Sequence, residues 1–176
     1  MGTGVNVSKY LMALEEALGQ IDLEALSKIC ASIQQVKARG GTVYLLGNGG
    51  SQANASHLVL HLINLGYKAH DLMAEIAWLT ASSNDLDYQS APARRLSLVG
   101  RKGDALMVLS GSGNSPNVLN ALQEAERKGM TTMGFLGFGG GFALQFCDCA
   151  VVLMQKDYGI VEDAHSAVIH ILANSL

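Results

Sequence analysis

The chain has 176 residues, enough for one domain with a sizeable core. Its twelve Lys and Arg against fifteen Asp and Glu give a net charge of −3 with no basic stripe, which argues against nucleic acid as a direct partner. With 49% apolar and only 15% charged residues the surface is short of charge for a monomer, so some apolar surface is expected to be buried between subunits.

The opening segment Met1 to Val7 carries neither a basic stretch nor an apolar core, and Asn6 spoils a myristoylation pattern, so no export signal is read there. The apolar run around Leu58 to Leu65 is broken by His61 and Asn64, and nothing approaches the roughly 18 apolar residues that a membrane span needs. A cytoplasmic protein without a membrane partner is expected. Cys30, Cys147 and Cys149 form an odd, unframed set with no second pair to complete a zinc site, and read as reduced structural thiols.

Residues 8–18 place Leu11, Leu14 and Leu18 at helical spacing, and Asp22 opens a second helix that stops at Gly40-Gly41. Two helices thus precede the first strand, 42–46, which runs straight into Gly47-Asn48-Gly49-Gly50-Ser51 and a helix over 52–65. Residues 67–103 carry a weaker pattern: 74–82 and 90–99 read as helices, with Ser83-Asn84-Asp85 as a loop between them. From Ala105 the order is a buried strand, a Ser/Gly loop, a helix over 116–128, a strand over 131–136, a glycine-rich loop over 137–141, a strand over 150–154 and a last helix from about Ile160. On that last helix Val168, Ile169, Ile171 and Leu172 put apolar residues around much of the circumference. Alternating strands and helices predict an α/β fold: a doubly wound parallel sheet with helices on both faces, in one domain over 1–176, with a helical pair over 1–40 and the α/β core over 41–176.

In such sheets ligands bind beyond the carboxyl ends of the strands, where the strand order reverses. The stretch Ser110-Gly-Ser-Gly-Asn-Ser-Pro-Asn lies on that edge, with Ser115 placed to cap a helix that starts at Pro116. Backbone N–H groups at a helix start have no intrahelical acceptor and sit at the positive end of the dipole, and Ser110, Ser112 and Ser115 add donors, so the loop reads either as a receptacle for a phosphate or another small anion or as an ordinary capped strand-to-helix turn. Neither Gly-rich loop is a P-loop, since no Gly-Lys-Ser/Thr follows, and neither completes Gly-x-Gly-x-x-Gly, because Gln52 and Pro116 intervene; a dinucleotide is disfavoured.

Three motifs in order, Gly47-Asn-Gly-Gly-Ser51 with His57, then Ser110 to Asn117, then Glu162-Asp-Ala-His165 with His170, resemble the sugar isomerase (SIS) domain and within it the phosphoheptose isomerases. The resemblance spans nearly the whole chain. It implies a flavodoxin-like fold, a homotetramer with active sites between subunits, and interconversion of sedoheptulose 7-phosphate and a heptose 7-phosphate. It also assigns Ser110, Gly111, Ser112 and Ser115 to the phosphate, Asn48, Gly49 and Ser51 to the sugar, and matches Asn84-Asp85 to the family's Asn-Asp. Gly111 stands where the family often has Thr. Arg94 aligns with a family arginine but reads as a surface residue.

The catalytic pattern departs from the family in two places. Where relatives carry His-x-x-x-Glu, whose Glu is taken as base and zinc ligand, this chain has His57-Leu-Val-Leu-His61; where they carry Gln-Glu-x-His, it has Glu162-Asp163-Ala164-His165. His57 and His61, four apart, share one helix face and suit two nitrogen ligands. With Glu162 and His170 they form a candidate set for a divalent metal, zinc by the resemblance. Glu162 and His170 are separated by about 12 Å along a helix at about 1.5 Å per residue, so one ion takes both only if their side chains converge or different subunits supply them. Isomerisation needs a base beside the carbonyl carbon; Glu162 or His61 is the candidate base, with His170 opposite and His165 as a nearby acid/base partner. The alternative reading, prompted by the lost Glu at position 61, is a non-catalytic phosphosugar-binding protein like those SIS relatives that assemble on a replication initiator.

Overall fold

The computed structural model describes residues 6–176. The opening segment read above for an export signal therefore lies mostly outside the described residues. Among the described residues no helix is long and apolar enough to cross a membrane.

Helices α1 (Val7–Gly19) and α2 (Leu23–Ala38) start at polar caps: Asn6 accepts from the Lys9 N–H, and Asp22 accepts from the Glu24 and Ala25 N–H groups. The chain then alternates through β1 (Thr42–Leu46), α3 (Gly49–Asn64), β2 (Lys68–Asp71), α4 (Ile76–Asp85), α5 (Ala91–Val99), β3 (Ala105–Ser110), α6 (Pro116–Arg127), β4 (Thr131–Leu136), a 3₁₀ stretch (Phe138–Phe146), β5 (Cys149–Val152) and α7 (Tyr158–Ser175). The five strands form one sheet in the order β2-β1-β3-β4-β5, and every pairing is parallel. That order is the flavodoxin-like winding, with its switch point between β1 and β3.

Strand alternation divides the core into two layers. Val43, Leu45, Met107, Leu109, Met133 and Phe135 face α2, α3 and α7 on one side of the sheet; Tyr44, Leu46, Leu106 and Val108 face α5 and α6 on the other. β3 is buried along its whole length, as its unbroken apolar sequence requires.

The differences from the sequence reading fall in the middle and at the ends of elements. β2 was not predicted: Lys68-Ala-His-Asp71 lies at the sheet edge with alternate residues exposed, so it carries no apolar run, and only its pairing with β1 (Thr42 opposite Lys68) makes it a strand. Asn84 and Asp85 form the last turn of α4 rather than a loop. Helix α3 begins at Gly49, inside the stretch read as loop. The segment 137–141 leads into the 3₁₀ stretch, with Gly139, Gly140 and Gly141 at positive φ.

Candidate functional site

At the switch point the loops after β1 and β3 stand side by side, and α7 lays its first turns across both. Together they enclose a cleft of about 80 Å³ lined by Asn48, Ser51, Ser110, Gly111, Ser112, Ser115, Tyr158 and Glu162.

The serine loop is built to leave donors free. Ser110 Oγ accepts from the Gly113 N–H at 3.0 Å and Ser112 Oγ accepts from the Asn114 N–H at 3.2 Å, so each hydroxyl is fixed through its oxygen and keeps its hydrogen for a ligand. Ser115 occupies the N-cap position of α6 but its side chain makes no capping bond, contrary to the sequence expectation, while Pro116 fills the first helical position. An anion at this point would complete the cap. The loop is held from behind by the glycine-rich stretch: the Ala143 N–H donates to the Gly113 carbonyl and the Phe142 N–H to Asn114 Oδ1. Gly113 sits at φ +64° directly against the Gly140 carbonyl, where no β-carbon fits.

The first loop is braced through side chains. Gln52 Oε1 accepts from the Gly47 N–H while its Nε2 donates to Asp71 at the end of β2, which fixes the bend after β1. Asn48 and the buried Asn117 exchange amide hydrogen bonds at 3.0 and 2.9 Å, and the Tyr88 hydroxyl donates to Asn48 Oδ1 at 2.6 Å. Glu162 reaches from α7 to the start of α3: its Oε1 accepts from the Ser51 N–H at 3.1 Å and its Oε2 lies over Gly50. A carboxylate thus completes the first turn of α3, in line with the helix dipole.

The three imidazoles form a separate station. Ring nitrogens of His57, His61 and His170 all lie within 4.8 Å of one another, and His57 Nε2 is 3.1 Å from His61 Nε2. Burial, then the neighbouring His57 and His170, hold His61 below the ordinary histidine range. Three convergent ring nitrogens on two helices fit a divalent ion that keeps an open fourth position. Glu162 does not join them: it stands eight residues before His170, with its carboxylate turned the other way, towards Ser51.

The remaining predicted residues fall outside both stations. His165 is 0% exposed on the sheet side of α7, with its ring 6.1 Å from that of Phe135 and neither nitrogen hydrogen-bonded. Burial holds it down to about 4, so at neutral pH it is an uncharged core residue and not an acid/base group in the cleft. Asn84 and Asp85 are exposed at the end of α4, bonded to each other and not lining the cleft. Gly49 is an exposed first helical residue beside it. Arg94 is exposed near the Trp78 ring, as read. All three thiols are free, and burial pushes Cys147 up to about 12, which makes it inert. Sequence reasoning missed Asn117, Tyr88 and Tyr158. Asn117 stood inside the quoted serine motif, whereas nothing in the sequence marked either tyrosine.

Residues 7–137 match the SIS domain family. The phosphoheptose isomerase of Desulfovibrio desulfuricans is 40% identical over 141 residues, covering 77% of this chain and 67% of its own. The chain belongs to the SIS domain family, on its phosphoheptose isomerase branch. Another relative, the phosphoheptose isomerase of Pelobacter propionicus, is 32% identical over 172 residues, 94% of this SIS chain and 91% of its own. Among solved structures, the phosphoheptose isomerase GmhA of Neisseria gonorrhoeae superposes with a TM-score of 0.89 at 26% identity over 95% of this chain and 92% of that one. The family's fold, expected from three short motifs, is the fold observed.

Proposed function

We propose that this phosphosugar isomerase interconverts sedoheptulose 7-phosphate and a D-heptose 7-phosphate by proton transfer through an enediol. The observation that carries the proposal is one cleft that holds both a loop of uncommitted hydroxyl donors and a carboxylate, Glu162, whose Oε2 accepts no hydrogen bond among the described residues.

The phosphate is held by Ser110, Ser112 and Ser115 with the start of α6, and Asn48 and Ser51 face the sugar. Glu162 acts as the base: Oε2 takes the proton from the carbon beside the carbonyl and returns it to the neighbouring carbon, while a hydroxyl proton crosses between the two oxygens of the enediol. Its bond from the Ser51 N–H keeps the carboxylate oriented. The carboxylate absent at position 61 is in this way supplied from α7.

His57, His61 and His170 would hold a divalent ion, zinc by the chemistry of an all-imidazole set, with His61 as ligand rather than base. When bound, such an ion supplies a positive charge to polarise a sugar oxygen. Within one chain the trio lies about 9 Å beyond Ser51 along α3 and about 12 Å beyond Glu162 along α7, at about 1.5 Å per residue. On the same two helices Leu60, Ile63 and Ile171 are exposed. A second copy covering these side chains brings an imidazole trio towards a neighbour's cleft, which supports a homotetramer with sites between subunits.

The test is incubation of the purified, metal-supplied protein with sedoheptulose 7-phosphate in deuterated water. Aldose product carrying deuterium at the carbon next to the carbonyl is expected. Neither product nor exchange sinks the proposal, and a thermal shift without turnover replaces it with the non-catalytic binding reading.

A further inference from the structure

We propose that Tyr158 is a phosphate-contacting residue of the cleft: its ring takes the space that a side chain at position 111 would need, and its hydroxyl donates to the phosphate in place of the one Gly111 lacks. The inference rests on the phosphosugar reading of the cleft and goes beyond it by assigning a group that no sequence motif marks.

Tyr158 is the first residue of α7 and stands four residues before Glu162, so both project from one face of the helix into the same cleft. Its Cδ1 and Cε1 lie 2.6 and 2.8 Å from the point where a β-carbon on Gly111 would stand. Position 111 is therefore bare because the ring occupies its space, and any side chain there displaces the ring. The ring is backed on its other side by Phe138, with centroids 4.8 Å apart at 50°. Phe138 is itself the one non-glycine at positive φ among the described residues, and such backbone persists where surrounding structure holds it in place.

The hydroxyl is free for a ligand. Tyr10, Tyr44 and Tyr88 spend theirs on Asp163, the Val99 carbonyl and Asn48, whereas Tyr158, like Tyr67, makes no such bond among the described residues; unlike Tyr67 it lines the cleft and remains 56% exposed. A phenol beside a loop of serine donors matches the one ligand chemistry that loop suits, a phosphate monoester dianion, since Tyr supplies an O–H donor without adding charge.

The experiment is calorimetric titration of the full-length protein and its variants with sedoheptulose 7-phosphate and, separately, with inorganic phosphate, each protein checked by its thermal melt. Tyr158→Phe removes the hydroxyl alone and is expected to weaken both ligands about tenfold, the size of one hydrogen bond to a charged group. Gly111→Thr drives the ring off the loop and is expected to weaken binding at least as much. Combined with Tyr158→Ala, Gly111→Thr restores a hydroxyl at 111 and is expected to return affinity to within about threefold of the starting protein. Unchanged affinity in Tyr158→Phe overturns the inference while leaving the phosphosugar reading intact. An unmodified protein that binds neither ligand overturns both.

Discussion

The cleft and the imidazole trio share α3 and α7 but are held by different means. In the cleft, almost every contact runs through the backbone or through hydrogen bonds that lock one partner: Ser110 to Gly113, Ser112 to Asn114, Gln52 to Gly47, Glu162 to Ser51. In the trio, the imidazoles pair with one another at centroid separations of 4.7 to 5.1 Å, with no other side-chain hydrogen bond among the described residues. The serine loop is set by its own main chain, Ser110 and Ser112 each accepting from a backbone N–H within the loop. A site made of side chains at helical spacing is retuned by a single exchange such as the one at His61.

That contrast orders the expected effects. Glu162→Gln keeps an acceptor for the Ser51 N–H and removes the base, so kcat should fall about 10³-fold with phosphate affinity unchanged; a loss of affinity alone would make Glu162 part of the binding surface instead.

His165 belongs to neither station, and its effect is on stability. Its folded value of about 4 lies below the ordinary 6.5, so the unfolded chain binds the extra proton first as pH falls. Its stabilising contribution is complete above pH 6.5 and is lost progressively towards pH 4, about 3 kcal/mol in all. Denaturant unfolding across that range should show a shallower loss in His165→Leu; identical pH profiles would mean that the ring is hydrated or charged in the folded chain.

His61→Ala should lower zinc affinity by about 100-fold or more and leave phosphate binding in place, read by competition with a chromogenic chelator. Parallel loss of both would show that the two stations are one. Ser115→Ala is the mildest change: its hydroxyl caps nothing in the free protein, so stability should hold while phosphate binding weakens by about threefold to tenfold. A drop in melting temperature would show that the hydroxyl is needed as a cap after all.

Much of this molecule is written in its local sequence. The cap at Asp22, the unbroken apolar run 105–109 and the glycines that end helices each act within a few residues, and these signals alone place most of the strands and helices and the serine loop at a sheet edge. What they could not supply are pairings between distant segments. β2 exists because β1 offers it a ladder, Glu162 finds Ser51 across 111 residues, and His57 and His61 meet His170 only because α3 and α7 pack together. The same packing turned His165 into the core and Tyr158 over Gly111, although both share a helix with Glu162. Sequence by itself determined most of the elements and the serine loop, because hydrogen bonding and hydrophobic periodicity are local. Only the tertiary structure decided which side chains converge, because burial and contact are properties of surfaces that the chain brings together from far apart.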